Sequence, residues 1–176
     1  MKICRISLMC ALWGISGCWN PFSPPQEPGE YPLPLRDSVV LDNLQKSYMS
    51  KNLQAYRDCL DPDSFRFYFD PGDTGIQEIL QNDWGIDSLV WGLTEELLSA
   101  EVLFASTDYV DLNLTQRTKI SGNDSVSVWV CRYYLRVEPP PEGGSSTAEG
   151  RARFTMKKNP DNGFWYISRW EDFGGS

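Results

Sequence analysis

The chain contains no histidine. That removes the side chain most often used as a general base near neutral pH and the commonest ligand of transition metals. Cysteine does not fill the gap. The five cysteines stand at 4, 10, 18, 59 and 131, with no paired spacing that could build a zinc site. A Gly-rich phosphate loop, a nucleophile elbow and an acidic metal-binding loop are all missing. No metal and no cofactor is therefore expected. Positive charge is scarce as well, with 16 Lys and Arg against 24 Asp and Glu and a net charge of -8 at pH 7. An acidic field without a Lys/Arg cluster repels phosphate backbones, which excludes nucleic acid as an expected partner. Long hydrophobic runs are absent too. The longest, residues 6–15, is about half the roughly 20 residues that a helix needs to cross a bilayer.

What is present is enough for one core. The chain has 176 residues, 41% of them hydrophobic and 13% aromatic, which suits one domain and is short for two. The N-terminus is organised for export: Met1 to Arg5 form a basic head, and residues 6–15 make a short apolar stretch of signal-peptide length. Ile15-Ser16-Gly17-Cys18 follows and resembles the lipobox of bacterial lipoproteins, although Leu is more usual where Ile15 stands. The resemblance implies that residues 1–17 are a cleaved signal and that Cys18 is acylated as the first residue of the mature chain. Ordinary signal-peptide cleavage and an uncleaved anchor are the alternatives. Two or three acyl chains, at roughly 0.8 kcal/mol per buried methylene, would hold the protein on a membrane. Trp19 stands where an inner-membrane retention signal would be Asp. The implied location is thus the cell envelope, on the periplasmic side of the outer membrane if the host has one. Loss of the signal takes Lys2 and Arg5 away and moves the net charge to about -10.

Residues 18–36 read as the lipidated end and a tether. Pro21, Pro24, Pro25, Pro28, Pro32 and Pro34 forbid helix and favour an extended chain. A folded domain is expected over 37–173, with 174–176 as a tail. Val40, Leu41, Leu44 and Tyr48 recur at helical spacing behind Asp37 or Ser38 as a cap. Ser50 is the expected cap of a second helix carrying Leu53, Tyr56 and Leu60. Phe65 to Phe69 read as an aromatic strand closed by Asp70-Pro71-Gly72-Asp73. A third helix is expected over 87–104, on the stripe Ile86, Leu89, Val90, Leu93, Leu97 and Leu98.

From Tyr109 the period changes to two. Tyr109, Val110, Leu112 and Leu114 mark one strand, and residues 125–137 mark a second after the turn at Ser121-Gly122-Asn123-Asp124. A Pro/Gly/Ser-rich loop is expected over 138–150. A third strand then holds Ala152, Phe154 and Met156, and a last one covers 164–170. Strand 125–137 has two alternating faces. Ser127, Trp129, Cys131, Tyr133, Leu135 and Val137 form the heavier set, which should face the helices. The other set, with Val126, Val128 and Val130, is apolar enough for a protein partner or a second copy to cover part of it. The fold class expected is α+β, a curved antiparallel sheet wrapped around three N-terminal helices.

The order helix, helix, strand, helix and four antiparallel strands is similar to the cone-shaped fold of the nuclear transport factor 2-like superfamily. In particular it resembles small lipoproteins of that type and the SnoaL-like polyketide cyclases. The residues that carry the likeness are Leu53 with Tyr56, Phe65 and Phe67, Trp91 and Glu95, Leu103-Phe104, Trp165-Tyr166-Ile167 and Trp170-Glu171-Asp172. Enzymes and non-enzymes share that fold, so function must come from the site. The resemblance implies an Asp or His base with a Tyr, Asp or His donor. Without histidine, Glu95 or Asp83 is the candidate base and Tyr56 or Tyr133 the candidate donor. Solvated carboxylates and core tyrosines are the plainer reading of the same residues, Glu96 included. Trp84 and Trp91 are candidate ligand platforms. Cys59 and Cys131 could form a disulfide or remain separate buried thiols. Three functions stay open: a membrane-anchored, non-catalytic binding or protein-interaction domain; a small isomerase, dehydratase or cyclase; and an assembly adaptor of an envelope or secretion complex.

Overall fold

The computed structural model describes residues 31–140 and 144–174. The expected export signal, Cys18, the expected tether through residue 30 and the last two residues lie outside the described part. Within it, four helices and six strands form one α+β layer pair. None of these helices is long and apolar enough to cross a membrane.

Helix α1 (Asp37–Met49) buries Val40, Leu41, Leu44 and Tyr48, the stripe that its sequence spacing predicts. Neither expected cap acts as one. Arg36 occupies the N-cap position without a side-chain bond. Asp37 instead sits in the first turn, where its carboxylate accepts from Lys119 at 2.8 Å and from the Trp129 indole at 3.1 Å, pinning the helix to the sheet. Ser50 likewise ends α1, its hydroxyl donating to the Lys46 carbonyl at 2.9 Å. Asn52 caps α2 (Leu53–Arg57), accepting from the Ala55 N–H at 3.0 Å.

The aromatic strand β1 (Arg66–Tyr68) follows. The next helix, α3 (Thr74–Trp84), is absent from the sequence expectation. Asp73 caps its start, and Gly85 at φ 66° ends it, with the Ile86 N–H reaching back to the Leu80 carbonyl at 3.0 Å. The helix expected over 87–104 begins only at Leu93. Val90–Trp91 is extended as β2 because it pairs with β1, Trp91 opposite Phe67, and α4 (Leu93–Ser106) starts after Gly92. Pairing supplied by a strand more than twenty residues upstream overrides the local helical period.

Four long strands complete the sheet: β3 (Tyr109–Gly122), β4 (Val126–Glu138), β5 (Ser146–Lys158) and β6 (Trp165–Gly174). The expected loop over 138–150 is shorter, because β4 takes Glu138 and β5 starts at Ser146. The last strand also runs past Trp170 to Gly174. The sheet order is β2-β1-β6-β5-β4-β3, antiparallel except where β1 joins β6 in parallel. Register shifts at Thr115/Thr118, Lys119/Ser121 and Thr155/Met156 bend it, with Gln116 at φ 49° in the first.

The heavier face of β4 points inward as expected. Ser127, Cys131 and Val137 are buried, and Trp129, Tyr133 and Leu135 pack against the core. Val40, Leu41, Tyr56, Phe65, Phe154, Met156 and Ile167 are sealed between helices and sheet. Residues 31–36 are held on this body rather than hanging from it. The Pro32 carbonyl accepts from Asn43 and the Pro34 carbonyl from the Trp165 N–H, each at 2.8 Å.

Candidate functional site

Two polar clusters face the interior. The first is closed. Gly92 begins α4, and its N–H donates to Glu95 Oε2 at 3.0 Å, so Glu95 satisfies the helix start. The next residue, Glu96, turns inward and is 5% exposed. Its Oε2 accepts from the Trp91 indole N–H at 2.8 Å, and its Oε1 accepts from the Tyr56 hydroxyl. Tyr48 lies edge-on to Tyr56, ring centroids 5.1 Å apart, and Phe104 packs against both. Burial raises the Glu96 carboxyl above the ordinary carboxylate range, with the Tyr56 and Trp91 bonds opposing. Burial also pushes the Tyr48 and Tyr56 phenols up, reinforced by Glu96. Every oxygen of Glu96 is bonded to a side chain that is itself buried, which describes a structural knot rather than a reaction centre.

These positions correct most of the sequence candidates. Glu95 serves the helix terminus, and Asp83 is exposed near the end of α3. Neither is a buried base. Tyr56 commits its hydroxyl to Glu96. Trp91 is 6% exposed with its N–H used, so it is a core residue, while half-buried Trp84 stacks on it at 5.4 Å. Glu96, grouped with the solvated residues in the sequence reading, is buried. Cys59 and Cys131 are separate buried thiols rather than a disulfide. The Cys59 thiol donates to the Ala55 carbonyl at 3.3 Å, and burial raises both thiols, Cys131 to about 11. Among the described residues, no group of three His, Cys, Asp or Glu side chains could hold a metal.

The second cluster is built on the sheet. Tyr133 on β4 stands opposite Gly150 on β5, and Asp172 on β6 stands opposite Ala152. All four lie on the concave face. The two small β5 residues let Tyr133 and Asp172 meet across the strand between them. A Cβ added at Gly150 would fall 2.7 Å from the Tyr133 hydroxyl, so the close approach requires glycine there. Tyr133 and Asp172 are thus neighbours across β5, close enough for each to perturb the ionisation of the other. Burial pushes the Asp172 carboxyl up to about 6; the Tyr133 hydroxyl opposes the rise, and the charges of Asp70 and Asp73 add to it. Tyr133 is raised by burial first and by Asp172 second. Asp172 Oδ1 is buried without a hydrogen-bond partner among the described residues.

The surroundings are aromatic. Trp170 precedes Asp172 on the same face and packs on Phe67 at 5.3 Å and on Phe154 at 4.9 Å. Phe69 lies 4.6 Å from Trp91. At the rim, Asp70 Oδ2 accepts from the Gly174 N–H at 2.8 Å, and Asp73 caps α3. A carboxyl with an ionisation point near 6 is largely a carboxylate at pH 7 yet still accepts a proton readily. A phenol beside it can donate to a developing oxyanion. Tyr133 is among the donors the sequence offers; Asp172 is not among its bases. The available signal was its parity with Trp170 in the closing Trp-Glu-Asp, which puts both on one face of the strand.

Outside the interior, an open cleft of about 450 Å³ runs beside α1, lined by Asp42, Gln45, Lys46, Met49, Ser50 and Arg117. It contains no member of either cluster.

No family model matches the sequence, and no curated protein matches it. Solved structures do. A nuclear transport factor 2-like superfamily protein from Salmonella enterica superposes with a TM-score of 0.55 at 13% identity, over 81% of this chain and 92% of that one. A protein from Streptomyces avermitilis, described as a candidate dehydratase of the nuclear transport factor 2-like family, gives 0.58 at 12% identity, over 80% and 94%. A candidate scytalone dehydratase from Novosphingobium aromaticivorans gives 0.62 at 8% identity, over 80% and 82%. The likeness is one of fold: a curved, open, six-stranded α+β sheet of the kind found in nuclear transport factor 2-like proteins.

Proposed function

We propose that this chain is an envelope lipoprotein, anchored through Cys18, whose domain is a small-molecule enzyme of isomerase or dehydratase type. The observation that carries the enzymatic half is the placing of Asp172 and Tyr133 side by side across Gly150 and Ala152 on the concave face, beside an aromatic wall. Asp172 takes a proton from a carbon next to a carbonyl. Tyr133 donates its O–H to the substrate oxygen and stabilises the enolate that forms. The proton on Asp172 then returns to another carbon, which isomerises the substrate, or goes to a departing hydroxyl, which dehydrates it. Apolar walls suit a mainly hydrocarbon or aromatic substrate. The dehydratase descriptions of two structural neighbours fit the same class of chemistry.

A second reading, non-catalytic binding, draws on the filling of the interior by Tyr48, Tyr56, Phe104, Phe154 and Trp170. Deuterium incorporation from D2O into 1-indanone and 2-cyclohexenone, followed by NMR, separates the two. Enzyme-dependent exchange that falls at least about 100-fold in Asp172→Asn supports proton transfer. Exchange at the buffer rate, with tryptophan fluorescence quenched on ketone binding, selects the binding reading. Exchange that survives in Asp172→Asn refutes the assignment of the base.

A further inference from the structure

Strand β1 ends at Tyr68 and β2 begins at Val90, and the Phe69 N–H still reaches the Leu89 carbonyl at 2.9 Å, so the hairpin closes at that rung. Residues 70–87 leave the sheet beyond it and return, carrying α3. Both ends of this excursion rest on the concave side. At its start Asp70 accepts from the Gly174 N–H, and Gly174 pairs with the Gly150 that Tyr133 lies against. At the far end Trp84 packs on Trp91, which shares a cross-strand row with Phe67 and Trp170. Helix α3, eleven residues and about 16 Å long, spans the distance between them. Little holds it there. Among the described residues, the Asp70–Gly174 bond is the one hydrogen bond that joins 70–87 to the rest of the chain, and no ion pair does. Leu80 is its one sealed side chain, while Ile76, Ile79, Trp84 and Ile86 are half-buried. Helix α1, by contrast, seals Val40, Leu41 and Leu44 completely. A segment with so few buried contacts and bonds opens far more readily than the whole fold unfolds.

We propose that residues 70–87 form a hinged flap that swings off the concave face to admit a substrate and closes over it. Gly72, just before the Asp73 cap, and Gly85, just after Trp84, stand at the two ends of α3 and absorb the rotation. Leu80 and Trp84 are the pins that close it. The inference deepens the proposed chemistry, and rests on it only for what enters: the substrate of Asp172 and Tyr133. Closing covers the aromatic row at Trp91 and brings Asp70 and Asp73 up to the acid and the phenol. Their charges raise both groups, so the Asp172 carboxylate is the stronger base with the flap shut. Proton abstraction is thereby favoured when the substrate is enclosed, and opening withdraws the two charges again.

Two measurements on the purified full-length protein in detergent test it: amide hydrogen–deuterium exchange read by mass spectrometry, and hydroxyl-radical footprinting. In the wild type, amides across 74–84 should exchange at least about 100-fold faster than those across 37–49. Leu80→Ala should speed the flap at least about fivefold more and leave 37–49 unchanged. The same variant should raise oxidation of Phe69, Trp91 and Tyr133 about threefold, with Tyr56 and Phe104 unaffected. Leu80→Met, close to Leu in volume, should restore wild-type behaviour in both measurements. Wild-type exchange across 74–84 as slow as that of α1 overturns the proposal, because the helix then opens only when the whole protein unfolds. Faster flap exchange in Leu80→Ala with unchanged oxidation also overturns it, since α3 would then move without uncovering the face. Neither measurement involves turnover. Absence of proton transfer to the ketones therefore refutes the catalytic reading alone and leaves the flap standing.

Discussion

Replacing Asp172 by Asn should make the protein more stable at neutral pH while removing the proposed proton transfer. In the fold the Asp172 carboxyl ionises near 6, against an ordinary value of 3.8, first because burial disfavours the charge. Relative to the unfolded chain, ionising it inside the protein therefore costs about 3 kcal/mol, at about 1.4 kcal/mol for each tenfold change in proton affinity. The sign follows from proton counting. Between pH 4 and 6 the native state holds the Asp172 proton more tightly than the unfolded chain, so stability from this group is present at low pH and lost as pH rises through about 6. Asn mimics the protonated carboxyl, keeps an oxygen for Tyr133 and has no proton to lose. Urea unfolding of both proteins from pH 4 to pH 8 should give similar stabilities near pH 4 and a gap that opens towards 3 kcal/mol above pH 7. Taking the difference cancels the titration of Glu96, which has the same sign, and that of Asp37, whose lowered carboxyl acts at the acid end. Parallel pH profiles, or an Asn variant less stable at pH 7.5, would refute the reasoning.

The closed cluster behaves in the opposite way. Glu96→Ala strands the Tyr56 O–H and the Trp91 N–H in a dry interior and should cost about 3 kcal/mol or more by urea unfolding, with Glu96→Gln costing less. Gly150→Ala drives a methyl into Tyr133 and should lose about 1–3 kcal/mol of stability. It should also raise the Asp172 ionisation point further by pushing the Tyr133 hydroxyl, which holds it down, away from the carboxyl, as carbon-13 carboxyl titration would detect. Cys18→Ser should abolish labelling by an alkynyl fatty-acid probe in cells; undiminished labelling removes the anchor from the proposal.

Much of the scaffold was legible from periodicity. The α1 stripe Val40, Leu41, Leu44 and Tyr48 and the alternation along β4 depend only on which face of an element must leave water, and both appear as read. Errors arose where a distant partner outweighed local pattern. Val90 belongs to the expected helical stripe and Trp91 to the expected helix, yet both form β2, because β1 offers them backbone partners. Asp37 suits a cap but is drawn to Lys119 and Trp129, more than eighty residues later.

The candidate site divides along the same line. Sequence alone determined that the chemistry must do without histidine, that Tyr133 faces inward, and that any base is a carboxylate. It could not choose among 24 carboxylates, because ionisation depends on water and charge supplied by the rest of the chain. Glu96 and Asp172 differ from exposed Asp83 only in what surrounds them. Tyr56 and Trp91 enclose Glu96, and the concave face of β4, β5 and β6 encloses Asp172, where Gly150 and Ala152 leave the gap that brings it beside Tyr133. Desolvation is a property of the assembled fold, so only the tertiary structure could decide which acid is tuned.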